Sequence, residues 1–386
     1  MYKRLLATEL EALALQYPIV TILGPRQSGK TTLVRLVFAN KPYVNLEALD
    51  IQEMAKADPR GFLNQYPDGA ILDEIQQAPF LLSYIQVLVD ENPKKGLFIL
   101  TGSHQMELHE AISQSLAGRT ALLQLLPMSL AECAEAHIEM SLDEALLKGG
   151  YPRIFKDQLD PTKAYRNYFQ TYVERDLRQL IRIKDLTLFQ RFIRLCAGRI
   201  GQLLNLEGLS NEVGVSSNTL KEWISILEAS FILFRLQPYH ENFGKRIVKS
   251  SKIYFTDVGL ASYLLGIENT TQLARDPLRG NLVENLIVLE LMKARLNKGL
   301  DPQLYFFRDA HGHEVDLIFQ SGRNLIPIEI KASQTFNIDF LKNIRFFQEL
   351  VGGRSPKAYL IYAGAQEQNI ESTMVLHYSH AANAVE

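Results

Sequence analysis

One stretch, "ILGPRQSGKTTLVRL", constrains this chain more than any other. A short apolar run from Ile19 to Leu23 meets Gly24-x-x-x-x-Gly29-Lys30-Thr31, and a helical pattern (Leu33, Leu36, Val37) follows. Strand, glycine loop and helix in that order predict a phosphate-binding loop. The glycines let successive backbone N–H groups turn inward at a helix N-terminus, where the dipole favours anions. Gly24, Pro25, Arg26, Gln27, Ser28, Gly29, Lys30, Thr31 and Thr32 are therefore expected around a nucleotide. Lys30 would reach its β- and γ-phosphates, and the Thr31 hydroxyl would ligate Mg²⁺.

Further strands are expected at residues 43–47, 69–76 and 96–104. The second of these carries Asp73-Glu74 at its end, an arrangement that suits Mg²⁺ binding by Asp73 and polarisation of an attacking water by Glu74. Two acids capping a strand end is the plainer alternative. Ser103, at the tip of the third, is a candidate sensor of the γ-phosphate. Arg119 precedes the next apolar run and is a candidate finger, acting in trans on a neighbouring subunit's nucleotide. Strands alternating with helices predict a parallel sheet covered on both faces. An arginine acting across an interface implies an oligomer, expected as a hexamer.

The chain has 386 residues, more than one ordinary domain, and a formal net charge of −2. That balance neither demands nor excludes nucleic acid, because a basic patch is easily offset elsewhere. Its 2 cysteines, Cys133 and Cys196, argue against a disulfide framework or a cysteine-rich zinc site. No apolar run approaches the ~18 residues that span a bilayer, so a cytoplasmic protein with no membrane partner is expected.

Between residues 163 and 199, Lys163, Arg166, Arg175, Arg178, Arg182, Lys184, Arg191, Arg194 and Arg199 face only Glu174, Asp176 and Asp185. The excess suits a solvated helix face, or one turned toward phosphate or another subunit. A helix from Leu206 to Val213, a Gly-Val-Ser-Ser turn and a second helix capped by Ser216 or Ser217 have helix-turn-helix spacing. Two strands joined by a basic loop follow, which together predict a winged helix. Asn218, Thr219 and Lys221 would face a DNA groove, and Lys245, Arg246, Lys249 and Lys252 would meet phosphate. Glu222 near that face leaves a protein-binding role open.

The helix at 280–296 is apolar on nearly all sides, so its Glu284 must be paired or metal-bound if buried. In the hairpin "HEVDLIFQSGRNLIPIEIKAS", Glu314 and Asp316 share one strand face, as do Glu329 and Lys331. Carboxylates on adjacent strands beside a lysine suit metal-assisted phosphodiester hydrolysis, with Glu284, Asp316 and Glu329 as ligands. A wet strand face is the alternative. His311 and His313 read as loop histidines.

The stretches "LGPRQSGKTTL", "ILDEIQ", "LTGS", "SLAGRTALLQLLPMSL", "GGYPR", "YVERDLRQL", "GKRIVKSSKIYFTDVGLASYLLG" and "EVDLIF…IPIEIKAS" span nearly the whole chain. Together they resemble a bacterial and archaeal family that joins an AAA-type P-loop ATPase domain to an uncharacterised C-terminal region. The resemblance implies an α/β fold: an AAA core, a helical lid, a winged helix and a domain similar to the PD-(D/E)xK restriction-endonuclease-like superfamily. It carries Lys30, Thr31, Asp73 and Glu74 as an ATP site, and Asp316, Glu329 and Lys331 as a nuclease-type triad with Glu284 as the helix acid. No Pro-Asp precedes the second acid, since Asp316 follows Val315. The expected domains are 1–125 (ATPase), 126–200 (lid), 201–266 (winged helix) and 277–386 (nuclease-like). The expected function is an ATP- and Mg²⁺-dependent motor or remodeller of DNA. The alternatives are a nucleotide-dependent switch or scaffold with an idle nuclease fold, and an ATPase that remodels protein.

Overall fold

A computed structural model of the chain describes residues 2–103, 115–174, 185–241 and 248–386, except the side chains of Val173 and Glu174. Arg175, Asp176, Arg178, Arg182, Lys184, Lys245 and Arg246 lie outside the described residues. The chain divides into two compact units, the first built from Met1–Met128 with two short later segments. Everything else forms the second unit, so residues expected to make three domains share one core.

In the first unit, helix α1 (Leu6–Ala14) leads into β1 (Ile19–Leu23), and α2 (Lys30–Val37) follows the glycine loop. Then come β2 (Tyr43–Asn45), α3 (Leu49–Ala57), α4 (Pro59–Asn64), β3 (Ala70–Asp73), α5 (Leu81–Glu91), β4 (Phe98–Gly102) and β5 (Thr120–Gln124). The strands pair in the order β2-β3-β4-β1-β5, all parallel. β1, β3 and β4 are buried along their whole length, as strands covered on both faces must be. β4 lies between β1 and β3, so Thr101 at its end stands between the glycine loop and Asp73. Glycine is required at position 24 by close approach, because a Cβ there would sit 2.2 Å from the Leu125 carbonyl oxygen.

In the second unit, the helices Leu206–Val213 and Ser217–Ala229 are joined by a turn with Gly214 left-handed. The Ser216 hydroxyl caps the second helix by accepting from Thr219 N at 3.1 Å. Its apolar stripe, Leu220, Trp223, Ile224 and Leu227, is buried, while Asn218, Lys221 and Glu222 are exposed. β6 (Leu233–Leu236) and β7 (Lys252–Phe255) form an antiparallel pair. The helix Arg279–Leu296 then precedes β8 (Leu304–Arg308), β9 (Glu314–Ser321) and β10 (Asn324–Lys331). The helix Lys342–Val351 is followed by β11 (Ala358–Tyr362), β12 (Gln368–Ile370) and β13 (Thr373–His377). Helix, three antiparallel strands, helix and strand follow in order, and β12 and β13 extend the sheet to six strands. The β9–β10 turn is tight, with Gly322 at φ 60°.

A buried acid explains two of the stretches that carry the resemblance. Asp257 accepts from Gly150 N at 2.8 Å, Tyr165 OH at 2.6 Å and Leu260 N at 3.0 Å. Gly149, at φ 61°, brings the chain so close that a Cβ would lie 2.2 Å from the Tyr165 oxygen. "GGYP" and "TDVG" are thus the two sides of one packed joint. Asp257→Ala leaves three buried donors unpaired and is expected to lower stability by about 3 kcal/mol. Urea unfolding followed by fluorescence measures it, and a loss below about 1 kcal/mol would remove the joint from the account.

Candidate functional site

The glycine loop delivers Lys30 as the first residue of α2, after Gly29 at φ 98°. The Lys30 ammonium is buried and donates to the carbonyls of Gly24 and Pro25, both at 2.9 Å. Burial lowers its pKa to about 8, against the opposing pull of Glu74 and Asp73. The Ser28 hydroxyl is buried with no hydrogen-bond partner among the described residues. A buried hydroxyl without a partner fits a loop built to hold an anion. Arg26 lies 3.6 Å from Glu47 at the loop's exposed side.

Asp73, at the end of β3, is the hub. Its carboxylate accepts from the Thr31 hydroxyl at 3.0 Å and from the Tyr43 phenol at 2.7 Å. Thr101 donates to it as well, and the same Thr101 oxygen accepts from Glu74 N at 3.1 Å. Thr31 and Asp73 are thereby brought together as the pair that would hold Mg²⁺, hard oxygens suited to that ion. Sequence reasoning missed Tyr43 and Thr101, since a strand residue's reach across a sheet leaves no local signal.

Glu74 stands one residue on, in the left-handed region at φ 58°, a strained conformation for a non-glycine residue. Its Oε2 accepts from the Ser103 hydroxyl at 3.0 Å and from the Gln76 amide. Gln76 also donates to Ser103 at 3.1 Å. The structure therefore places the expected sensor against the expected base, and adds Gln76. Arg119 precedes β5 as expected, but its guanidinium is paired at the surface with Asp90 at 2.6 and 2.8 Å.

The acids of the second unit also meet, around the expected Lys331 and around one cation not expected there. Lys331 Nζ lies 2.6 Å from Glu329 and 3.7 Å from Asp316. Lys252, expected to face phosphate from a basic loop, is instead 2% exposed, 3.0 Å from Glu284 and 2.6 Å from Glu314. The reason is its place at the head of β7, which turns it inward beneath the helix that carries Glu284. Burial alone would lower its pKa, but Glu284, Asp316 and Glu314 outweigh that and raise it. Burial, and then the Asp316 charge, push Glu329 up to about 8. Burial also raises Glu284 to about 6, with Lys252 opposing. Among the described residues no three His, Cys, Asp or Glu side chains are grouped to hold a metal ion. Glu284 Oε1 is taken by Lys252 and Tyr254, while Glu329 Oε2 is buried with no hydrogen-bond partner among the described residues. His313 is held by Asp309 at 3.0 Å and stacks on Phe346.

The state of Lys30 gives the nucleotide site a pH dependence. The ammonium is charged below about pH 8 and neutral above it, and phosphates favour the charged form. Nucleotide affinity is expected to be greatest below pH 8 and to fall up to tenfold per pH unit above it, with proton uptake on binding. Calorimetry in buffers of differing ionisation enthalpy reads both. Affinity that stays flat from pH 7 to 10 would contradict the buried, low-pKa lysine.

A family model described as an AAA domain matches residues 16–134. Two models of domains of unknown function, DUF8612 and DUF4143, match 139–271 and 279–380. An uncharacterized protein of Mycobacterium tuberculosis is 32% identical over 362 residues, covering 93% of this chain and 79% of its own. One of Methanocaldococcus jannaschii is 24% identical over 344 residues, covering 73% of this chain and 69% of its own. Among solved structures, a Walker-type ATPase of Pyrococcus abyssi aligns with TM-score 0.47 at 14% identity, covering 68% of this chain and 96% of its own. Among the described residues no helix is long and apolar enough to cross a membrane. The chain carries an AAA-type P-loop ATPase domain and belongs to the family of the Mycobacterium tuberculosis protein.

Proposed function

We propose that the protein hydrolyses ATP and works as an oligomer on DNA. The observation that carries the first half is the contact of Ser103 and Gln76 with Glu74, one residue beyond the Asp73–Thr31 pair. Lys30 gives up its carbonyl partners to hold the β- and γ-phosphates, and Ser28 lends its unused hydroxyl. Thr31 and Asp73 would hold Mg²⁺, which would supply positive charge against the phosphates. Glu74 takes the proton of the attacking water, and Ser103 and Gln76 fix where its carboxylate points. Arg119 serves a neighbouring subunit by leaving Asp90, and an exposed ion pair of that kind is weakly held. The hexamer rests on that arginine alone.

The DNA half rests on the exposed Asn218 and Lys221 of the capped helix, with Thr219 beside them and Lys249 before β7. A second reading, a nucleotide-dependent switch that binds protein through this helix, is favoured by the exposed Glu222 on the same element. Steady-state hydrolysis with and without duplex, forked and four-way DNA separates the two. The DNA reading expects stimulation, and expects Lys221→Glu to weaken binding and Lys249→Ala to reduce its salt slope by about 1. Neither stimulation nor binding at low salt would leave the switch.

A further inference from the structure

The carboxylates of the second unit are closed by a lysine that lies outside the strands carrying three of them. Lys252 comes from β7, yet its Nζ lies within 3.0 Å of Glu284 on the helix Arg279–Leu296 and 2.6 Å of Glu314 on β9. The ammonium also sits over the Phe306 ring, 5.4 Å from its centre. Tyr254, two residues along β7, donates to the same Glu284 oxygen as Lys252 does. Lys331 takes the other pair, Glu329 and Asp316, while the Asp316 Oδ2 atom also accepts from Ile330 N at 2.8 Å. Four carboxylates thus meet two ammonium groups. A divalent ion needs several carboxylate oxygens converging on one point at about 2.0–2.1 Å for Mg²⁺. Here the oxygens of Glu284 and Glu314 converge on Lys252 instead. Admitting a metal between them would put two like charges together in a buried site, or expel an ammonium from the two carboxylates it bonds.

We propose that Lys252 is the built-in cation of this cluster, taking the place of a divalent metal, so that the second unit cuts no phosphodiester bond. Its work is mechanical. It ties the β6–β7 hairpin to the helix Arg279–Leu296 and to β9. Backbone bonds from Tyr239 N to Phe306 O at 2.7 Å and from Phe306 N to Gln237 O at 3.1 Å stitch the segment just after β6 to β8. A load applied to the hairpin and its preceding helices would then pass into the six-stranded sheet without slack. The inference stands apart from the ATPase reading, since no residue of the first unit enters it.

The test is Mn²⁺ binding by calorimetry on the nucleotide-free full chain, comparing the unmodified protein with Asp316→Asn and Lys252→Met. Any binding at Asp73 is common to all three and cancels. The expected result is an Asp316→Asn isotherm that overlays the unmodified one, and at least one additional Mn²⁺ bound by Lys252→Met. A saturable site in the unmodified protein that Asp316→Asn removes would overturn the proposal. So would a folded Lys252→Met that binds no more Mn²⁺ than the parent. Should Lys252→Met fail to fold, the first comparison still decides. Plasmid nicking in Mn²⁺, expected to be absent, would also overturn it if present and lost in Asp316→Asn.

Discussion

The Asp73 carboxylate is the group on which the first unit's chemistry depends. It collects hydroxyls from the glycine-loop helix, from β2 and from β4, through Thr31, Tyr43 and Thr101. A single acid can do this because β4 stands between β1 and β3, so the tips of the three strands and the first turn of α2 converge. Thr101 adds a second duty: its oxygen accepts the backbone N–H of Glu74 and so helps hold that residue in a left-handed conformation it would not adopt unaided. Glu74 is therefore aimed by backbone geometry, and its contacts with Ser103 and Gln76 complete the aim. Loss of any one hydroxyl would leave a buried carboxylate short of a donor and would loosen the loop that Lys30 anchors.

Much of this was legible in the sequence because its signals are local. Gly24, Gly29, Lys30 and Thr31 lie within one turn and one helix start, and Asp73-Glu74 ends an apolar run that only a buried strand explains. The partners that fix those groups were not legible. Tyr43, Thr101 and Gln76 are ordinary residue types, joined to Asp73 and Glu74 by sheet order, and sheet order has no spacing to read. The same limit explains Lys252. Within "KSSKIYF" its charge reads as part of a basic loop, and only the burial of β7 turns it inward. The apolar helix at 280–296 correctly demanded a partner for Glu284, but its chemistry left a metal and a lysine equally eligible. Glu290, on the same helix, solves the same problem with Lys293 at 3.0 Å and with Leu130 N at 2.7 Å.

The two units use buried charge to different ends. In the first, donors gather on Asp73 while the Ser28 hydroxyl remains without a partner, so the site keeps capacity for a ligand. In the second, Asp257 has three donors, and Glu284, Glu314 and Asp316 each have an ammonium at or near hydrogen-bond distance. Satisfied contacts of this kind make a fold specific and stiff, and in this cluster Glu329 Oε2 is left buried without a hydrogen-bond partner among the described residues. Motifs such as "GGYP" and "TDVG" are therefore marks of how the second unit packs, although their short polar patterns resemble sites.

Glu74 is the group proposed to act on water while other residues hold the nucleotide. Single-turnover release of phosphate from bound ATP, compared between the unmodified protein and Glu74→Gln, tests this most directly. The variant is expected to bind ATP with unchanged affinity and to release phosphate at least ~100-fold more slowly, as loss of a general base should. Equal rates of release from the two proteins would contradict it.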